Sequence, residues 1–119
     1  MLRGGRLSEC VVAAFALLPA AALAAEPAAI APDRREQLVR MVRQDCGSCH
    51  GMRLTGGLGP ALTPEALADK PADAMAATIL HGRPGTPMPG WRPMLSESEA
   101  RWIAAQLVAG FPVEARAPR

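Results

Sequence analysis

The segment DCGSCHGM, residues 45–52, places two cysteines three positions apart and a histidine directly after the second. Cys46 and Cys49 at this spacing can form a disulfide, ligate zinc, act as a redox dithiol or bond covalently to haem. His50 adds an imidazole, which is a common ligand of metals. Features elsewhere in the sequence distinguish between these four kinds of site.

The third cysteine, Cys10, lies in a segment that has the pattern of a signal peptide. Two arginines precede an apolar, alanine-rich run, and Ala22 and Ala24 follow at the small-residue spacing that a signal peptidase reads. The run is too short and too rich in alanine to span a membrane comfortably. We therefore expect residues 1–25 to be removed on export to the periplasm, which leaves only the two cysteines of the motif and no membrane anchor.

The chain of 119 residues is long enough for one small domain, and its supply of large apolar side chains is low. It contains no tyrosine, two tryptophans and two phenylalanines, of which Phe15 falls in the leader. A domain of this size is only marginally stable even with a well-filled core, so we expect a bound group to complete the core. The formal net charge of +2 indicates no nucleic-acid partner.

The sequence predicts an all-α domain, because no segment shows the alternating pattern of a strand. A helix is expected over 33–45, with Asp33 as N-cap and Glu36 three positions later, as in a capping box. This helix runs directly into the cysteine motif, and its buried face is expected to include Leu38, Met41, Val42 and Cys46.

Three further helices are expected after a glycine-rich loop at 51–62. Thr63 and Pro64 begin a short helix to about Asp69, and a second helix runs from Pro71 to His81, where Gly82 ends it. The last helix, 96–109, has Ser96 as its cap and Glu99 at the third helical position, and it is expected to bury Ile103 and Leu107 with Trp102 at its edge.

The segment 82–95 contains four prolines and three glycines, so it can be neither a helix nor a central strand. A long ordered loop in a compact domain usually has a function. We call residues 82–95 the methionine loop, because Met88 lies in it between two prolines.

Covalent haem accounts best for the cysteine motif. A redox dithiol of the thioredoxin type needs a strand before it, and here a helix precedes it. Zinc would need Cys46, Cys49, His81 and a fourth ligand such as His50, whose side chain should diverge from that of its neighbour Cys49. A disulfide explains neither the histidine nor the sparse core. A haem bonded to both thiols, with His50 on the iron, explains the motif and completes the core.

The sixth ligand of such an iron has several candidates. Met52 is too close to the motif to cross the haem ring, and Met75 lies in a helix at a position typical of core packing. Met88 is favoured because the flanking prolines can hold its thioether in place at low entropic cost. Met94 and His81 stay open as alternatives.

With these features, the chain resembles a class I monohaem cytochrome c over nearly the whole length that follows the leader. The segments CGSCH, GLGPAL, GTPMPGW and LSESEARWIAAQL follow that family's order of attachment motif, glycine–proline turn, methionine loop and terminal helix. Two longer segments, CGSCHGMRLTGGLGPALTPEAL and ATILHGRPGTPMPGWRPMLSESEARWI, resemble more narrowly the small periplasmic cytochrome c55X (NirC) type found alongside the haem cd1 nitrite reductase of denitrifying bacteria.

The resemblance implies a small class I cytochrome c fold, with helices packed around one covalent haem c, and a role for each matching residue. Cys46 and Cys49 would bond to the haem, and His50 and Met88 would ligate its iron. The Pro60 carbonyl would orient the imidazole of His50. Arg83 and Trp91, beside the methionine loop, would donate to the haem propionates. For Arg83, an ordinary solvated charge is an equally good interpretation.

The expected domain organisation is a cleaved signal peptide at 1–25, a flexible arm at 26–32, a cytochrome c domain at 33–111 and a flexible tail at 112–119. A haem iron ligated by histidine and methionine has no open site for a substrate, which favours a monomeric electron carrier rather than an enzyme. The resemblance implies as partner the haem cd1 nitrite reductase or its electron donor. Alternatives are an accessory role in haem d1 maturation, a ligand-binding haem protein and a zinc or structural module.

Overall fold

The computed structural model describes residues 29–112, so the expected signal peptide, residues 26–28 of the expected arm and residues 113–119 of the expected tail lie outside the described residues. Residues 29–112 contain helices and loops and no strand, which confirms the all-α prediction. The elements in chain order are α1 (Pro32–Met41), a π-helical turn (Val42–Cys46), α2 (Gly47–His50), α3 (Pro64–Leu67), α4 (Ala72–His81) and α5 (Glu97–Ala109).

Helix α1 begins one residue earlier than predicted, and the predicted capping box is wrong. Ala31 is the N-cap, no side chain caps the helix, and Pro32 occupies its first turn. Proline fits there because its φ angle is already helical and its missing N–H would have no partner. Asp33 therefore lies inside the first turn, where its carboxylate interacts favourably with the helix dipole.

The cysteine motif continues this first helix, as predicted. Helix α1 passes into the π-helical turn and then into α2, which ends at His50. Leu38 and Val42 are fully buried on one side, and Met41 and Cys46 are partly buried against the same core. A π-helical turn is rare and often occurs beside functional sites, and here it lies directly before the attachment motif.

The caps of the other helices follow the sequence closely. In α3 the Thr63 hydroxyl accepts the Ala66 N–H (3.4 Å), although the helix ends at Leu67 rather than at Asp69. Helix α4 ends where Gly82 adopts a φ of 69°, a left-handed value that favours glycine.

The predicted capping box of α5 is confirmed. The Ser96 hydroxyl accepts the Glu99 N–H (3.2 Å), and a Glu99 carboxylate oxygen accepts the Ser96 N–H (2.8 Å). The Arg34 Nε also donates to Glu99, which joins the first turn of α1 to the first turn of α5. The same guanidinium donates to the Met94 carbonyl (3.1 Å) at the end of the methionine loop.

One apolar core holds these elements together, and the contact between α4 and α5 is the most extensive between any two helices. Ile103 and Leu107 are buried and Trp102 is partly buried at the edge of the core, all as predicted. Alanines at the centre of α5 let other elements approach closely. The buried core residues are Leu38, Val42, Leu54, Leu67, Ala76, Leu80, Leu95, Ala100, Ile103, Ala104 and Leu107.

The chain beyond α5 returns to the segment that carries the cysteine motif. The Arg43 guanidinium, in the π-helical turn, donates to the carbonyls of Phe111 (2.9 Å) and Pro112 (2.9 and 3.2 Å). Its Cζ also lies 5.4 Å from the centre of the Phe111 ring, a cation–π distance. Arg43 therefore ties the end of the described chain to the turn that precedes the motif.

Candidate functional site

The two cysteines of the motif lie on successive parts of one helical segment. Cys46 ends the π-helical turn and is half-buried, whereas Cys49 lies in α2 and is exposed. Both are free thiols and form no disulfide with each other. The Ser48 hydroxyl donates to the Asp45 carbonyl (2.7 Å) and closes the turn between them.

The surroundings of Cys46 keep its thiol neutral before any bond to a cofactor forms. Burial raises the pKa of the Cys46 thiol to about 11, and the nearby Asp45 carboxylate acts in the same direction. A half-buried neutral thiol facing the core is suited to an apolar partner, because ionising it there would cost free energy.

His50 has its orientation determined by the glycine-rich loop that follows it. Its Nδ1 lies 2.7 Å from the Pro60 carbonyl, which is the contact that the resemblance implies. A carbonyl can only accept, so Nδ1 carries the hydrogen and Nε2 of the neutral ring is left with a lone pair that can ligate a metal.

Gly59 leaves space for the imidazole ring. A Cβ at this position would lie 2.8 Å from Cε1 and 2.9 Å from Nδ1 of His50, closer than real contacts allow. The Gly59 N–H also donates to the Cys49 carbonyl (2.8 Å), so backbone hydrogen bonding holds the loop against the motif. Gly59 was not among the predicted site residues, although its place directly before Pro60 is a usable signal.

Two further backbone features shape the same loop. Gly51 has a φ of 89°, and a Cβ there would lie 2.6 Å from the Gly56 carbonyl oxygen. Leu54 has a φ of 60°, which is unusual for a branched residue, and its side chain is buried. The burial of the Leu54 side chain in the core offsets the free-energy cost of this left-handed backbone conformation.

The methionine loop has a dense set of internal hydrogen bonds around Met88. The Arg83 N–H donates to the Met88 carbonyl (3.2 Å), and the Met88 N–H donates to the Thr86 hydroxyl (3.3 Å). The Thr86 hydroxyl in turn donates to the Arg83 carbonyl (2.6 Å). These bonds form a compact turn that holds Met88 in one place.

The far side of the loop is joined to the end of α4. The Trp91 N–H donates to the Ile79 carbonyl (3.0 Å), and the Arg92 N–H donates to the Leu80 carbonyl (3.2 Å). Gly90 permits this approach, since a Cβ there would lie 2.8 Å from the Leu80 oxygen. The loop is therefore an ordered part of the fold.

The candidate sixth ligands differ in exposure. Met88 is half-buried between two exposed prolines, whereas Met94 is 55% exposed and Met52 is 63% exposed. His81 is exposed at the end of α4, and Met75 packs partly buried against the core. These positions favour Met88 over Met94 as the sixth ligand.

The two predicted propionate donors lie beside this loop. Trp91 is half-buried and packs against the core, and Arg83 is exposed. Neither side chain donates a hydrogen bond to another described residue. Their roles toward the haem stay predictions.

The residues present fit a covalent haem better than a metal ion alone. Two free thiols three residues apart adjoin an imidazole whose Nε2 has a lone pair, and Gly59 leaves the ring its place. Among residues 29–112, no three histidine, cysteine or carboxylate side chains come together as a metal-binding group. The zinc alternative therefore lacks a ligand set in this part of the chain.

Comparisons with known proteins agree with this chemistry. The family model described as "Cytochrome C oxidase, cbb3-type, subunit III" matches residues 33–107. A cytochrome c55X of Stutzerimonas stutzeri is 54% identical over 101 residues, which cover 85% of this chain and 86% of that relative. A solved structure described as "c-type cytochrome NirC" is 56% identical, with a TM-score of 0.67, and the match covers 68% of this chain and 95% of that one.

A larger protein also contains a segment similar to this chain. A structure described as "Dihydro-heme d1 dehydrogenase NirN in complex with DHE" is 36% identical, with a TM-score of 0.54. The match covers 67% of this chain and 16% of the dehydrogenase chain. A domain with this fold therefore forms a small part of that dehydrogenase.

The helical fold, the attachment motif and these matches define the chain as a c-type cytochrome, and it belongs to the family whose model matches residues 33–107. Such proteins carry haem c covalently, which confirms the cofactor prediction and the class I cytochrome c fold. Within that class, the chain belongs to the cytochrome c55X family. No helix between residues 29 and 112 has the length and apolar character needed to cross a membrane.

Proposed function

We propose that this chain is a periplasmic carrier of single electrons. Its haem c would be bonded to Cys46 and Cys49, with His50 and Met88 as ligands of the iron. The observation that carries this proposal is the half-buried Met88, held in a hydrogen-bonded loop between exposed prolines. A bound haem c would supply a one-electron couple at its iron.

His50 does two things in this proposal. Its Nδ1–H donates to the Pro60 carbonyl, which makes the ring a more basic ligand and prevents it from rotating. Its Nε2 then keeps a lone pair and would be the ligating atom. Gly59 maintains both effects because it leaves the ring enough space.

Met88 would supply the second ligand of the iron. A thioether ligand would favour the reduced iron and raise the reduction potential. It also leaves no position for a substrate, which is why we propose a carrier rather than an enzyme. The hydrogen bonds of the methionine loop restrict Met88, so gaining or losing an electron would need little movement of the chain.

The proposed setting is nitrite reduction in denitrifying bacteria, with the haem cd1 nitrite reductase or its electron donor as redox partner. Support comes from the similarity to cytochromes c55X. Contacts between electron-transfer partners are commonly small and weak, and a monomeric carrier of this size suits them.

A second candidate function is removal of electrons during maturation of haem d1. It is favoured by one observation, the similarity to a segment of dihydro-haem d1 dehydrogenase. A free protein with the same fold as that segment could exchange electrons with a similar enzyme.

Stopped-flow mixing of the purified holoprotein with each partner distinguishes the two functions. We expect the reduced protein to be oxidised rapidly by haem cd1 nitrite reductase, with carbon monoxide leaving its spectrum unchanged. Rapid reduction of the ferric protein by dihydro-haem d1 dehydrogenase with its substrate, and no reaction with nitrite reductase, would favour the maturation role. Tight binding of carbon monoxide would contradict both carrier functions.

A further inference from the structure

The methionine loop has an inner and an outer side. Met88 and Trp91 are half-buried and Leu95 is buried, so these three side chains face the protein. The remaining side chains are exposed, and half of them are prolines and two are arginines. They are Arg83, Pro84, Thr86, Pro87, Pro89, Arg92, Pro93 and Met94.

The charge of this outer side is only positive. No aspartate or glutamate occurs between Asp73 and Glu97, whereas Arg83, Arg92 and His81 all lie in that interval. Within residues 29–112, neither Arg83 nor Arg92 forms an ion pair. Arg101, by contrast, pairs with both Asp73 and Glu97. The loop therefore offers two guanidinium groups that form no ion pair with a described carboxylate.

A cavity of about 270 Å³ lies beside Arg92, along α4 and against the first two turns of α5. Asp73, Glu97 and Arg101 also line it, and both carboxylates lie within ion-pair distance of Arg101, at 3.6 and 2.7 Å. Arg92 and His81 line the same cavity without such a partner. A carboxylate side chain entering this cavity would meet the Arg92 guanidinium, which has no ion-pair partner among the described residues, beside the His81 imidazole.

The outer side is already ordered before any partner binds. Trp91 and Arg92 are joined to the end of α4 through their N–H groups, and Arg34 donates to the Met94 carbonyl. Four prolines restrict the remaining backbone. A rigid surface loses little conformational entropy on binding, which favours its use as an interface.

We propose that the outer side of the methionine loop is the docking surface for a redox protein whose own docking face carries carboxylates. Arg83 and Arg92 face those carboxylates, one of which enters the cavity beside Arg92, while the prolines and Met94 supply apolar contact. The inference rests on the proposed electron-carrier function and specifies its partner. Opposite charges on the two faces accelerate their encounter and determine their orientation.

The test uses the reduced holoprotein and haem cd1 nitrite reductase in stopped flow, at a series of ionic strengths. Arg92→Glu reverses one charge of the docking surface, and Arg92→Gln removes it. Lys70→Glu is the matched control, because this exposed residue lies outside the methionine loop and is not among the residues that line the cavity.

We expect Arg92→Glu to lower the second-order rate constant about tenfold at low ionic strength, and Arg92→Gln to lower it by less. Lys70→Glu should stay within about twofold of the wild type, and high salt should remove the differences because it screens exposed charges. An unchanged rate for Arg92→Glu, or equal slowing by Lys70→Glu, would overturn the docking surface.

Two small oxidants separate the failure of this surface from the failure of the carrier function. Anionic hexacyanoferrate(III) and cationic tris(phenanthroline)cobalt(III) should both oxidise the wild type and every variant, which shows that each variant is folded and redox-active. If both oxidants react but the wild type transfers no electron to nitrite reductase, the proposed function fails for this partner and the docking proposal fails with it. Suppose instead that the wild type reacts with nitrite reductase, but Arg92→Glu does not slow the reaction or Lys70→Glu slows it equally. The carrier function is then supported and the docking surface is contradicted.

Discussion

At the scale of single residues, the site depends on atoms that hold His50 and Met88 in fixed orientations. The Pro60 carbonyl determines which nitrogen of His50 carries the hydrogen, and Gly59 leaves the ring its space. Thr86 bridges the turn around Met88 through its hydroxyl. Two predictions test these arrangements separately.

The first prediction concerns the sixth ligand. Met88→Ala should remove the weak near-infrared band that sulfur ligation gives the ferric protein, lower the reduction potential and admit carbon monoxide, because the thioether is lost. Absorption spectroscopy and redox titration measure all three effects. Met94→Ala and His81→Ala are the controls and should keep the band. Loss of the band in Met94→Ala instead would show that Met94, at the end of the loop, is the sixth ligand.

The second prediction concerns the proximal side. Gly59→Ala should displace the His50 ring from Pro60, lower the free energy of unfolding by about 1–3 kcal/mol and raise the reduction potential, since a less basic imidazole stabilises ferric iron less. Denaturant unfolding and redox titration measure these changes. Gly47→Ala is the matched control, because its Cβ would meet its nearest neighbour at an ordinary 3.4 Å. An unchanged potential in Gly59→Ala would show that the contact with Pro60 does not tune the iron.

At the scale of the elements, the first turns of α1 and α5 are joined by Arg34 and Glu99. The Glu99 side chain is only 14% exposed, and its carboxylate also closes the capping box of Ser96. The hydrogen bond from Arg34, aided by that from the Ser96 N–H, lowers the pKa of Glu99 below its usual value. Folding is therefore coupled to ionisation of this carboxyl group.

The third prediction follows from the direction of this shift. Because the folded pKa lies below the unfolded value of about 4.3, ionised Glu99 stabilises the fold above that pH, and the stabilisation is lost as pH falls through the folded pKa. Glu99→Gln should cost about 1–2 kcal/mol at neutral pH, and the difference from wild type should shrink in acid. Thermal unfolding at several pH values measures this effect.

Glu97→Gln is the control for the third prediction, since Glu97 lies in the same turn but is 61% exposed and pairs only with Arg101. Its cost should be at most about 0.5 kcal/mol. A difference between Glu99→Gln and wild type that stays constant down to low pH would contradict the coupling.

At the scale of the whole molecule, the helices and loops that carry the site pack around a small core of mostly leucine and alanine. Arg43, four residues after Val39 in the same helical segment as Cys46, binds the Phe111 and Pro112 carbonyls, so the C-terminal end of the described residues lies next to the attachment motif. We propose that the part outside this domain includes a signal peptide, and that haem attachment follows export.

The fourth prediction tests that order. Mass spectrometry of the intact protein from the periplasm should show a chain that starts near Ala25 or Glu26 and carries the mass of one haem, which stays on the chain after acidic organic extraction. The pattern around Ala22 and Ala24 is the reason for this expectation. A haem-loaded chain that still begins at Met1 would contradict it.

The sequence by itself determined the features that depend on neighbouring residues. The spacing of Cys46, Cys49 and His50 indicated the cofactor, and Ser96 with Glu99 indicated the start of α5, because one helical turn brings such residues together wherever it occurs. The same local reasoning was wrong at Asp33, because Pro32 competed for the first turn and displaced the capping box.

Only the tertiary structure decided the features that join distant parts of the chain. The fit of Gly59 against His50, the left-handed Leu54, the contact of Arg43 with Phe111 and the link between Arg34 and Glu99 all depend on how the loops and helices fold back on one another. No local pattern encodes these contacts, since each one forms only after packing has brought its two partners together. The inward position of Met88 and the outward, uncompensated charges of Arg83 and Arg92 have the same origin, because hydrogen bonds to α4 orient the loop that carries them.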